Sequence, residues 1–81
     1  MIELEPADMQ DMKDTLNEVL VEMGLDPDKY LDRATDIVLN HVPNHIVATA
    51  VEWGWNDTVV GDDLVEFMRS HRRELIAPST D

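Results

Sequence analysis

The residues best placed to do chemistry are carboxylates in rows. Asp14, Glu18 and Glu22 recur at every fourth position, and Asp8 and Asp11 extend the same side. On a helix they would stand roughly 6 Å apart along the axis. Asp28, Asp32 and Asp36 repeat that spacing a few residues on. Like charges at i, i+4 cost about 0.2–0.5 kcal/mol per pair in a helix, so each row opposes the element that carries it. In the second row Lys29 and Arg33 are close enough in sequence to neutralise neighbours, whereas in the first Lys13 falls on another side. The chemistry such rows support is electrostatic. They offer cations a ladder of anionic oxygens whose repeat is of the same order as that of phosphates along a duplex strand. Alternatively, they are a solvated face that keeps the chain soluble.

Other constellations are weaker. Trp53 and Trp55 flank Gly54, and tryptophan is enriched where binding energy concentrates. A glycine turn between them predicts that one ring packs as core and the other is exposed as an anchor. His41 and His45 have i, i+4 spacing, but Pro43 lies between them and no His-Glu-x-x-His motif occurs, so no metal site is expected. Asp26, Asp28 and Asp32 do not make a calcium loop. Pro27 stands where the loop must fold, and the glycine of its sixth position is absent. Ser70 and Ser79 are the only serines and neither sits in a nucleophile motif. With no glycine-rich phosphate loop and no paired acid–base motif, neither an enzyme nor a cofactor is expected.

The elements that must hold these residues are helices. Met9, Met12, Leu16, Val19, Leu20 and Met23 form a stripe of helical period over about 6–23, opened by Pro6 and closed by Gly24. Asp26 and Pro27 start a second helix that ends before Pro43, with Tyr30, Leu31, Ala34, Ile37, Val38 and Val42 inward. A short third, about 44–53, turns Ile46, Val47, Ala50 and Val51 inward. A fourth, about 57–75, buries Val60, Leu64, Phe67, Met68 and Leu75. Asp57, Asp62 and Asp63 near its start and Arg69, His71, Arg72 and Arg73 near its end suit the helix dipole. No strand pattern competes. The expected fold is therefore all-α: one compact domain over 1–81 of about four short helices, with 1–5 and 77–81 frayed.

Ala50, Gly54, Val60 and Leu64 stand at offsets that resemble a helix-turn-helix corner between helices 3 and 4. The resemblance implies a DNA-reading second helix. The outward acids Asp57, Asp62, Asp63 and Glu66 contradict that role, because such helices offer Arg, Lys, Asn or Gln to bases and phosphates. Size, acidity and helix count also resemble acyl carrier proteins. That family carries its prosthetic group on the serine of an Asp-Ser-Leu motif, which is absent here.

Composition bounds the partners. The chain has 81 residues, 18 acidic against 6 basic, for a net charge of −12. Direct binding to nucleic acid and to anionic membranes is disfavoured by that sign. No cysteine is present, and the first residues lack the features of a signal peptide, so a cytoplasmic protein is expected. Eleven of the acids lie in residues 1–40. The expected function is a non-enzymatic acidic module that occupies the basic, nucleic-acid-binding surface of a partner protein. The logic is that of phage inhibitors, including anti-CRISPR and anti-restriction DNA mimics. Its expected binding residues are Asp11, Asp14, Glu18, Glu22, Asp28, Asp32, Asp36, Trp53 and Trp55. The alternatives are a helical adaptor or oligomerisation domain, in which a homodimer covers an apolar strip, and a helix-turn-helix regulator.

Overall fold

A computed structural model describes residues 2–77. Its helices are α1 (Pro6–Glu22), α2 (Pro27–His41), α3 (Asn44–Trp53), α4 (Thr58–Ser70) and α5 (Arg72–Ile76), with no strand among the described residues. The overall extents are 37 × 24 × 21 Å.

Local sequence explains the boundaries. Pro6 and Pro27 occupy the first turns of α1 and α2, where a missing N–H costs nothing. The Asp26 carboxylate accepts from the Asp28 N–H at 3.0 Å and the Asp57 carboxylate from the Val59 N–H at 2.9 Å, capping α2 and α4. Gly24 and Gly54 stop α1 and α3 at φ of 77° and 98°, a region costly for residues with a Cβ.

α1 packs against α2 and α4, α4 against α3, and α5 bridges α2 and α4. The core is Met12, Leu16, Val19 and Leu20 of α1, Ala34, Ile37 and Val38 of α2, Ile46 and Ala50 of α3, and Val60, Leu64, Phe67 and Met68 of α4, with Trp55 and Leu75. Val42 is buried with them, and of the other expected inward positions Met9, Met23, Tyr30, Leu31 and Val47 are partly buried against this core, whereas Val51 is 77% exposed. α3 has α4 as its main neighbour, so only the narrow stripe through Ile46 and Ala50 is covered.

Two further expectations change. The fourth helix does not continue to Leu75. His71 leaves helical geometry (φ −108°, ψ 18°), and the separate turn of α5 returns Leu75 to the core. Arg72 and Arg73 therefore open α5 instead of closing α4. Residues 2–5 are tied down, not frayed. The Ile2 N–H donates to the Leu39 carbonyl at 3.0 Å, and Ile2 and Leu4 pack on the core. The expected fraying of 77–81 falls largely on residues 78–81, outside the described part.

Candidate functional site

The first acid row stands where the sequence places it. Asp14, Glu18 and Glu22 are exposed and Asp11 is half-buried. The fold adds a second wall. Glu18 and Glu22 line a cleft of about 200 Å³ between α1 and α4, and Asp57 and Asp62 line its other side. Four carboxylates, two from α1 and two from the cap and start of α4, thus border one opening. Its floor holds Thr15, Val19 and Gly61. A Cβ on Gly61 would meet only Thr15 Cγ2, at 4.0 Å, so packing does not demand glycine there.

The buried Thr15 hydroxyl joins the walls. It donates to the Trp55 carbonyl at 2.7 Å, with Asn56 Oδ1 at 3.1 Å. This bond holds the α3–α4 corner, and with it Asp57, against α1. The periodicity of α1 gives no hint of it, because threonine on an apolar stripe reads as filler. Asp57 and Asp62 escape notice for a different reason: the dipole of α4 accounts for them, and only the fold brings them to α1.

The placement of the α1 row is unfavourable to its own helix. Glu18 and Glu22 lie in the C-terminal half of α1, near the negative end of its dipole, and the last turn holds no basic residue. The only side-chain hydrogen bond in this row links Gln10 to Asp14, at 2.9 Å.

Asp28, Asp32 and Asp36 are also exposed, but none of them lines the cleft. The expected neutralisation of this row is not found. Arg33 donates to the carbonyls of Leu75, at 3.4 Å, and Ala77, anchoring the C-terminal segment. Lys29 Nζ lies 5.3 Å from the centre of the Tyr30 ring. A tertiary contact takes Arg33, and a local contact with the next residue takes Lys29, away from the carboxylates beside them in sequence.

The tryptophans divide as the glycine turn predicts. Trp55 is 2% exposed beneath the corner, and Trp53 is 67% exposed. Trp55 is therefore a core residue and cannot serve as a surface anchor, because its ring is enclosed. Val51 and Val59, both exposed, fall with Trp53 within nine residues of the same corner.

The three histidines meet in a separate cavity of about 380 Å³. The rings of His41 and His71 stack with centroids 5.8 Å apart, and Phe67 lies 4.4 Å from His71. Their separation in sequence conceals this convergence. Among the described residues no group of three His, Asp or Glu side chains could hold a metal ion. Nor is any helix there long and apolar enough to cross a membrane. No protein family, curated protein or solved structure matches this chain.

Proposed function

We propose that the chain is a non-enzymatic binding module that docks its carboxylate cleft on a basic surface of a nucleic-acid-handling protein, where it competes with nucleic acid. The observation that carries this is the α1 row itself. Three exposed carboxylates repel one another along the helix, Glu22 opposes the dipole, and Asp57 and Asp62 add charge across the cleft. Local rules broken together without local compensation are the mark of a site that serves something other than folding. A basic partner removes the repulsion on binding and gains from it. Rows about 6 Å apart along a helix give the array a repeat comparable to that of a phosphate backbone. Asp28, Asp32 and Asp36 extend the negative field that speeds the encounter, and Trp53 adds an apolar contact that slows dissociation. The encounter is placed in the cytoplasm.

The test is capture from the source cell with wild-type chain and with Asp14→Asn, Glu18→Gln, Glu22→Gln and Asp62→Asn combined. Mass spectrometry should identify a basic nucleic-acid-binding protein retained by the wild type and lost with the variant. A partner retained equally by both sinks the proposal.

One observation favours a second reading, a helical adaptor that binds through apolar surface: Val51, Trp53 and Val59 are all exposed at one corner. Under it, Trp53→Ala abolishes capture while the carboxylate variant leaves it intact.

A further inference from the structure

The carboxylate cleft gives no role to the histidine cavity, which lies elsewhere on the molecule. His41 ends α2, His45 lies in the first turn of α3, and His71 separates α4 from α5, so three elements deliver every imidazole of the chain to one place. Buried Ile46 and Phe67 form its apolar lining. The His41 and His71 ring planes are 19° from parallel, and the His71 ring is fixed by a 3.0 Å contact from Nδ1 to the Phe67 carbonyl. Asp63 and Glu66 of α4 stand at the same cavity.

Flat rings beside carboxylates select a particular cation. A guanidinium is planar, stacks on aromatic faces and donates in a fork that matches a carboxylate. An ammonium has the charge but cannot stack as a plane. Anions are repelled by Asp63 and Glu66. We propose that this cavity is a socket for an arginine side chain of the partner protein. The proposal takes from the reading above only that the partner is basic; it does not depend on the cleft.

The charged and titratable groups that face the socket are His41 from α2, His45 from α3, and Asp63, Glu66 and His71 from α4 and its cap. α5 contributes none.

The experiment is an NMR titration of the intact chain with N-acetyl-arginine methylamide and its lysine counterpart. The arginine probe should shift His41, Glu66, Phe67 and His71. It should bind roughly two- to fivefold tighter than the lysine probe, the worth of one exposed stack. Glu66→Gln should weaken binding of the arginine probe. Equal binding of the two probes, or shifts confined to Glu18, Glu22 and Asp57, would overturn the proposal. Arginine binding here without capture of any basic partner would support the socket and sink the cleft. Capture of a basic partner with this cavity silent would do the reverse.

Discussion

Glu22→Gln should make the protein more stable. Glu22 is the last residue of α1, exposed, with Glu18 four residues behind it and no basic side chain in the last turn. Losing the Glu18–Glu22 repulsion is worth about 0.2–0.5 kcal/mol. Removing a negative charge from the negative end of the dipole is worth about 0.3–1 kcal/mol. The two together give about 0.5–1.5 kcal/mol at low salt. For a chain of this size that is a rise in Tm of roughly 2–12 °C. In urea the midpoint should rise with an unchanged slope, because the surface exposed on unfolding is the same. The gain is electrostatic, so it should fall to a few tenths of a kcal/mol in about 1 M salt, where the screening length is about 3 Å. Asp8→Asn supplies the opposite sign. Asp8 lies in the first turn, where the dipole favours it, and its loss should cost about 0.3–1 kcal/mol. A neutral Glu22→Gln at low salt, or a gain undiminished at high salt, would refute the claim that this row is held against the preference of its helix.

Four further substitutions test the fold that builds the cleft. Thr15→Val leaves the Trp55 carbonyl without its 2.7 Å donor and should cost about 1–3 kcal/mol by urea denaturation. Gly61→Ala adds a methyl that meets only Thr15 Cγ2 at 4.0 Å and should raise stability by about 1 kcal/mol in the same assay. Trp55→Ala should cost about 3–5 kcal/mol and Trp53→Ala no more than about 0.5 kcal/mol by thermal denaturation, since one ring is core and the other is exposed.

Much of the architecture is legible in the order of residues. Pro6, Asp26 with Pro27, Pro43 and Gly54 mark helix ends by local chemistry alone, and the apolar stripes of α1 and α2 bury as their period demands. Ala50, Gly54, Val60 and Leu64 build the two-helix corner they suggest. The break at His71 is not legible, because Phe67, Met68 and Leu75 are consistent with one continuous helix. What separates them is tertiary: Leu75 is enclosed between α2 and α4, and Arg33 binds the chain just beyond it. The same competition defeats the expectation for Arg33, which spacing assigns to aspartates and the fold assigns to carbonyls. Half of the candidate site is visible in sequence as the Glu18–Glu22 step. Asp57 and Asp62 become its other wall only when Thr15 holds the corner against α1.

The central claim is that the α1 row and the cleft carboxylates facing it contact a basic surface that otherwise holds nucleic acid. The most direct measurement is the affinity of the captured partner for wild-type chain and for the variant with Asp14→Asn, Glu18→Gln, Glu22→Gln and Asp62→Asn, over a salt series, with duplex DNA as competitor. Wild-type binding should weaken steeply with salt and be displaced by the duplex, and the variant should bind weakly with a shallow salt slope. Equal affinities and equal slopes, or a ternary complex with the duplex, would contradict the account.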